Sequence, residues 1–145
     1  MICQLPDYQR LPKESLEVVQ RARKIALVGA SPKEERPSYQ VMKYLLEKGF
    51  SVYPVNPGQK EILGQRCFPS LSAIPKEIEI DTVIIFRRPE MVFPVVKEAL
   101  KRGVKAIWLQ EGIENKEAEE LARKKGIVFV SNLCFKKVHQ KLQTS

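Results

Sequence analysis

The stretch Ile25-Ala-Leu-Val-Gly-Ala-Ser-Pro-Lys-Glu-Glu-Arg-Pro-Ser38 decides the fold of this 145-residue chain. A short apolar run ends at Gly29, a basic loop follows, and Pro37 with Ser38 as N-cap signals the start of a helix. This order is typical of a strand, a phosphate-binding turn and a helix N-terminus, where small residues let backbone N–H groups approach an anion. The stretch therefore predicts an α/β domain with a nucleotide-like ligand.

Apolar runs alternate with amphipathic stretches along the whole chain. The predicted strands are Lys24–Gly29, Ser51–Val55, a short edge strand near Arg66–Phe68, Thr82–Phe86, Ala106–Leu109 and Ile127–Val130; the predicted helices are Lys13–Arg23, Tyr39–Lys48, Pro89–Arg102, Asn115–Lys125 and Leu133–Leu142. Repeated strand–helix–strand units predict a doubly wound parallel sheet of Rossmann-like type, with helices on both faces. We expect the strand order 3-2-1-4-5-6 and one domain over residues 1–145, with residues 1–12 as an N-terminal extension.

Composition narrows the class of protein and its partners. The formal net charge of +8 favours an anionic ligand, but the basic residues are dispersed and no nucleic-acid-binding motif accompanies them. We therefore expect no nucleic-acid partner. Because the sequence has neither a long apolar run nor a signal-peptide pattern, we also expect no membrane association and a cytoplasmic location. The preference for Glu and Lys over Asp and Arg resembles the composition of heat-stable proteins.

The carboxyl ends of the predicted strands locate the ligand site. In a doubly wound sheet, ligands bind beyond these ends, where the strand order reverses. That point lies between Gly29 and the Phe86–Pro89 segment. The first loop lacks the second and third glycines of the dinucleotide fingerprint, and Asn56 stands where NAD binding needs an acidic residue. These two departures argue against NAD and leave an NADP-dependent oxidoreductase as an alternative.

Arginines and hydroxyl groups on this rim suit phosphate. Arg36, Arg87 and Arg88 can bind phosphate oxygens through paired N–H groups. Ser31 and Ser38 can add hydroxyl donors. No Ser-His-Asp, Cys-His or metal-binding arrangement occurs on the rim, so no catalytic residue or metal ligand is predicted. Trp108 is expected in the core, and the single histidine, His139, near an exposed tail.

The chain has three cysteines without metal-ligand spacing. Cys134 follows the last predicted strand on the side of the ligand site, which makes it a candidate redox thiol. Cys67 lies near the sheet edge and is expected to be exposed, as a second candidate. Cys3 is expected to be a surface thiol.

A series of short motifs links these segments. They are Val28-Gly-Ala-Ser31, Arg36-Pro-Ser38, Pro54-Val-Asn-Pro57, Ile62-Leu-Gly64, Phe86-Arg-Arg-Pro89, Trp108-Leu-Gln110 with Gly112-Ile113, and Cys134. Each is weak alone, but their order and spacing are specific. Over about Lys13 to His139 the chain resembles the stand-alone CoA-binding proteins, which are single Rossmann-like domains similar to the N-terminal CoA-binding domain of the succinyl-CoA synthetase alpha subunit.

The resemblance implies a set of coenzyme A contacts. The pyrophosphate would be held by Gly29, Ala30 and Ser31, and the phosphate groups by Arg36, Pro37 and Ser38. The adenosine side would be bordered by Asn56 and Pro57, and the 3′-phosphate would be contacted by Lys60. The pantetheine and phosphate path would be flanked by Phe86, Arg87 and Arg88, and the rim would be completed by Gln110 and Gly112. Relatives usually carry a Glu near Val138 and His139, so any role of that Glu is missing here.

The resemblance implies binding of CoA or an acyl-CoA without an established reaction. We therefore expect a binding module rather than an enzyme. A redox exchange between a cysteine and the CoA thiol is a further hypothesis. An NADP-dependent oxidoreductase or another nucleotide-binding regulatory domain is the alternative. A homodimer and a complex with a partner enzyme both remain open.

Overall fold

The computed structural model describes residues 5–144. Its helices are α1 (Lys13–Arg21), α2 (Pro37–Glu47), α3 (Val92–Lys101), α4 (Lys116–Lys124) and α5 (Phe135–Thr144); its strands are β1 (Lys24–Val28), β2 (Ser51–Val55), β3 (Glu61–Ile62), β4 (Gln65–Arg66), β5 (Thr82–Ile85), β6 (Ala106–Leu109) and β7 (Val128–Val130). Within this part of the chain, no helix is long and apolar enough to cross a membrane.

Five parallel strands form the central sheet in the order β2-β1-β5-β6-β7. The faces of the sheet bury two apolar clusters. One contains residues of α1, α2 and α5, including Val19, Met42 and Phe135. The other contains residues of α3 and α4, such as Val96 and Ala118. The prediction of a doubly wound parallel sheet with helices on both faces is thus confirmed.

The sheet edge differs from the predicted strand near Arg66–Phe68. Residues 65–66 pair antiparallel with β3 in a separate two-stranded ribbon, and Phe68 alone bridges to Val55 of β2. Leu63 and Gly64 have φ of +50° and +76°, and this left-handed pair reverses the chain directly after β3. Pro69 follows with no N–H to extend a ladder. The outer strand is therefore reduced to one bridge.

Two helices begin differently from the prediction. Helix α2 starts at Pro37 rather than at Tyr39, so Arg36 is its N-cap and Ser38 lies buried in the first turn without capping it. The cause is Pro37, whose fixed φ suits the first helical position. The predicted helix from Pro89 opens with a 3₁₀ turn before α3. Asn115 caps α4 as predicted, and its Oδ1 accepts a hydrogen bond from the Ala118 N–H at 2.9 Å.

Helix α5 packs on the sheet through buried aromatic and polar contacts. Trp108 is fully buried as predicted, its Nε1–H donates to the Leu133 carbonyl at 2.7 Å, and its ring contacts Phe135. His139, expected near an exposed tail, is instead buried. Its Nδ1 lies 2.6 Å from the Tyr44 hydroxyl, and burial, followed by the charge of Lys48, lowers the pKa of the imidazole. This contact holds α5 against α2.

Candidate functional site

The turn after β1 brings three strand ends together. Gly29 has a φ of +88°, and a Cβ built on it would lie 2.2 Å from the Phe86 carbonyl oxygen. The N–H groups of Gly29 and Ala30 both donate to the Val55 carbonyl, at 3.0 and 3.2 Å. These two donors are therefore engaged within the protein. Glycine is required here for the close approach of β1 to the segment after β5.

A cavity of about 630 Å³, called here the strand-end cavity, opens beyond this turn. It is lined by Gly29, Ala30, Ser31, Lys33, Arg36, Pro37, Ser38, Asn56, Pro57, Phe86, Arg87, Arg88, Pro89 and Ile113. All the binding residues predicted from the sequence line it except Lys60, Gln110 and Gly112. Three lining residues, Lys33, Pro89 and Ile113, were not among the predicted binding residues, although each lies within or next to a motif that contains such residues.

The wall of the strand-end cavity is cationic. It includes Lys33, Arg36, Arg87 and Arg88 and no carboxylate side chain. Arg88 is largely exposed and lies 3.6 Å from Glu90, whereas none of the ion pairs within residues 5–144 involves the other three. The N-terminus of α2, at Pro37, adds its partial positive charge. Such a wall favours a phosphate-bearing ligand.

Asn56 fastens the rim of the cavity. Its Nδ2 donates to the Ala30 carbonyl at 2.7 Å, and its Oδ1 accepts from the Gly58 N–H at 2.8 Å. An aspartate has no N–H with which to hold Ala30. The Asn56 amide therefore has a structural role that an acidic residue could not fill, and this role explains why the ribose-binding acid is absent here.

The remaining predicted binding residues lie elsewhere. Lys60 is exposed on the loop after β2 and does not line the strand-end cavity. Gly112 is exposed, with a φ of +81°, and its N–H donates to Asn132 Oδ1 at 2.7 Å, which ties the loops after β6 and β7 together. Gln110 lies at a second cavity beside the first.

This adjoining cavity has a volume of about 600 Å³. It is lined by Glu35, Pro37, Gln40, Val41, Phe86, Gln110, Glu111, Ile113, Cys134, Lys136, Lys137 and Gln140. Pro37, Phe86 and Ile113 line both cavities. The two therefore form one path along the carboxyl ends of the strands, from Asn56 after β2 to Cys134 after β7.

The N-terminal extension contacts the outer end of this path. The Tyr8 hydroxyl donates to Glu111 Oε2 at 2.6 Å and accepts from the Cys134 N–H at 2.8 Å, and Lys137 Nζ lies 3.1 Å from the same carboxylate. Burial and the Glu111 hydrogen bond raise the pKa of Tyr8. No sequence signal pointed to this contact, because Tyr8 and Glu111 are 103 residues apart.

The candidate thiols differ in position. Cys134 is buried and lines the adjoining cavity. The expectation of an exposed Cys67 is wrong, because this residue is buried in the apolar cluster that also contains Ile62. Its thiol donates to the Asn56 carbonyl at 3.6 Å, and burial raises its pKa. Cys3 lies outside the described residues. Among residues 5–144, no group of three or more His, Cys, Asp or Glu side chains could hold a metal ion.

The chain is similar in sequence and structure to several known proteins. The family model described as CoA binding domain matches residues 23–140. The chain is 38% identical over 128 residues to the YneT protein of Bacillus subtilis, covering 87% of this chain and 92% of that protein. The solved structure of a hypothetical protein from Pyrococcus horikoshii superposes with a TM-score of 0.87 and 41% identity, covering 99% of both chains.

A longer relative contains a region similar to the present chain. The ADP-forming acetate–CoA ligase of Methanocaldococcus jannaschii is 30% identical over 129 residues, which represent 82% of this chain. The chain spans only 18% of that ligase. The similarity therefore concerns one region of the larger protein.

Proposed function

The chain belongs to the family of CoA-binding domains, and from that premise we propose that its strand-end cavity binds coenzyme A or an acyl-CoA by the pyrophosphate. One observation supports this proposal above others. Lys33, Arg36 and Arg87 converge on one cavity wall without a carboxylate neighbour on that wall, beside the N-terminus of α2. Guanidinium and ammonium groups in such a position attract and orient phosphate oxygens.

The shape of the site supports an assignment of the ligand's parts. We place the pyrophosphate between the Gly29 turn, Arg36 and Ser38, and the adenosine beside Asn56 and Pro57. Lys60, exposed on the neighbouring loop, would reach the 3′-phosphate. The pantetheine arm would leave past Phe86 toward the adjoining cavity. A volume of about 630 Å³ is ample for the phosphate-bearing part of such a ligand.

Thermal unfolding with and without CoA tests the proposal. At a CoA concentration of 100 times Kd, binding adds about 2.7 kcal/mol to the free energy of unfolding. For a domain of this length, that stabilisation corresponds to a rise in Tm of roughly 5 to 10 °C. The sample must first be freed of any copurified ligand. The absence of a shift at millimolar CoA would disprove the proposal.

NADPH is the matched comparison ligand, because it also has a pyrophosphate and an additional phosphate. We expect a smaller shift in Tm with NADPH than with CoA at equal concentration. The reason is that the loop after β1 lacks the second and third glycines of the dinucleotide fingerprint, on which the binding of a nicotinamide dinucleotide in such a sheet depends. Tighter binding of NADPH, measured by its fluorescence, would support the oxidoreductase alternative instead.

The position of Cys134 supports a second candidate function, which is thiol–disulfide exchange with a CoA disulfide. We propose that the Cys134 sulfur attacks one sulfur of the disulfide. The S–S bond of the ligand breaks, a new S–S bond joins Cys134 to one CoA, and the other CoA leaves as the thiol with the proton from Cys134. The support for this step is that Cys134 lines the cavity into which the pantetheine arm would extend.

Intact-mass analysis after incubation with CoA disulfide tests this exchange. We expect one CoA adduct on a Cys3→Ser chain, which removes the cysteine outside the described residues. The adduct should persist when Cys67→Ala is added and disappear when Cys134→Ala is added. An adduct that survives Cys134→Ala, or no adduct on the Cys3→Ser chain, would contradict the assignment.

A further inference from the structure

Gln110 lies directly after β6, and the oxygen of its side-chain amide is hydrogen-bonded within the protein. Its Oε1 accepts a hydrogen bond from the Phe135 N–H at 3.0 Å, at the first residue of α5. This contact fixes which end of the amide is oxygen, because a backbone N–H needs an acceptor. The residue is only 4% exposed. The side chain is thus held in place by this hydrogen bond and by burial.

The other half of this amide has no protein partner. Within residues 5–144, Gln110 Nε2 makes no hydrogen bond. In the same part of the chain, every fully buried side-chain nitrogen or oxygen has a partner. Nε2 is therefore accessible, and the cavity that Gln110 lines is the adjoining one. A nearly buried donor without a partner is costly unless a ligand or water accepts its hydrogen bond.

The adjoining cavity lies where the reactive end of the proposed ligand would reach. It continues from the strand-end cavity through Pro37, Phe86 and Ile113. A molecule held by its pyrophosphate near Gly29 and leaving past Phe86 therefore meets Gln110 beyond it. Lys136, on the same wall, has no carboxylate partner among the ion pairs of the described residues.

We propose that the adjoining cavity is an acyl-thioester subsite in which Gln110 Nε2 donates a hydrogen bond to the thioester carbonyl oxygen. The proposal rests on the proposed function, because it needs CoA in the strand-end cavity. Gln110 binds and orients the acyl group and takes no part in a bond-breaking step. The chain would then distinguish acyl-CoA from free CoA.

The chemistry of the donor favours a carbonyl over a free thiol. Nε2 can only donate, because an amide NH₂ group has no lone pair available to accept a hydrogen bond. A thioester offers a carbonyl oxygen as acceptor, whereas sulfur is a weak acceptor. A ligand without the carbonyl leaves the donor unpaired in a cavity that the ligand has closed to water. The difference between the two ligands is one neutral hydrogen bond, or roughly 5- to 10-fold in Kd.

Acetyl-CoA and S-ethyl-CoA form the test pair, because they differ in the carbonyl oxygen alone. Isothermal titration of the full chain should give a Kd for acetyl-CoA roughly 5 to 10 times lower than that for S-ethyl-CoA. Equal affinities would overturn the subsite while leaving CoA binding intact. Failure of both ligands and of CoA itself would instead disprove the proposed function, and the subsite with it.

Gln110→Glu isolates the donor. The carboxylate keeps an acceptor for the Phe135 N–H, so the start of α5 is preserved, but it has no N–H to offer the ligand. The preference for acetyl-CoA should disappear or reverse, with S-ethyl-CoA affinity retained. Gln143→Glu is the control, because it makes the same charge change on an exposed residue of α5 that lines neither cavity. A preference that survives Gln110→Glu, or is lost in Gln143→Glu, would contradict the role of Gln110.

Discussion

Replacing Gly29 with alanine is expected to lower the free energy of unfolding by about 4 kcal/mol or more and to abolish CoA binding. The new Cβ would lie 2.2 Å from the Phe86 carbonyl oxygen and 2.9 Å from its carbon, at a φ of +88°. Both atoms belong to the backbone, so they cannot move as a side chain would. The turn must open, which separates Gly29 from the Arg87 side of the cavity. Thermal unfolding and CoA titration measure the two effects.

Gly103→Ala is the control for the backbone conformation. Gly103 also has a positive φ, of +70°, but a Cβ there meets no atom within 4 Å. It lies at the opposite end of the sheet, after α3. We expect this substitution to lower the free energy of unfolding by about 1 kcal/mol and to leave CoA binding unchanged. Equal destabilisation by the two substitutions would show that the close approach to Phe86 has no consequence of its own.

Much of the fold could be predicted because its signals are local. The run Thr82–Ile85 is β-branched and, after Thr82, apolar, as is typical of a strand buried on both faces, and all four of its residues are buried. The spacing of Gly29, Asn56 and Phe86 after three such runs placed them on one rim. The family resemblance, based on the same motifs, is confirmed by the match over residues 23–140.

The failed predictions concern residues whose surroundings come from distant parts of the chain. His139 was expected near an exposed tail, but Tyr44, 95 residues away, meets it in the interior. Cys67 was expected at an open edge, but it is buried in the apolar cluster that contains α2 residues such as Met42, and its thiol donates to the Asn56 carbonyl. The residues next to His139 and Cys67 in the sequence do not specify this burial. Burial of a single polar residue depends on how helices dock, which local periodicity does not encode.

At the site, too, features set by the neighbouring sequence could be predicted, and features set by distant contacts could not. Arg36 and Arg87 could be assigned to the rim because each follows a predicted strand. The role of Asn56 could not, since both its hydrogen bonds depend on the final position of Ala30 and Gly58. The free donor of Gln110 was equally hidden, because it becomes apparent only when Phe135 occupies the other end of the amide.

Arg87→Gln is expected to weaken CoA binding by roughly 10- to 100-fold, the value of a charge-assisted hydrogen bond to phosphate. Arg87 is half-buried at the cavity wall and forms no ion pair with a carboxylate among the described residues. Its charge is therefore available to the ligand. Because the side chain lies on the surface of the site rather than in the core, Tm without ligand should change little.

Arg88→Gln is the matched control, since it removes the same charge from the next residue. The Arg88 side chain is 81% exposed and lies 3.6 Å from Glu90, so solvent and a neighbouring carboxylate already screen it. The loss of CoA affinity should stay below about fivefold. Equal losses in the two variants would indicate long-range attraction by net charge rather than a defined phosphate contact.

Pantetheine, the thiol-bearing arm of CoA without its phosphates, separates the two parts of the path. Its binding, although weak, should be the same in the wild-type chain and in Arg87→Gln, because pantetheine has no phosphate for the Arg87 guanidinium to bind. If Arg87→Gln weakens pantetheine and CoA binding by the same factor, the substitution has changed the shape of the cavity near Phe86. A loss confined to the phosphate-bearing ligand would mean that Arg87 binds the charge itself. In that case the pantetheine arm would be bound by Pro37, Phe86 and Ile113, which line both cavities.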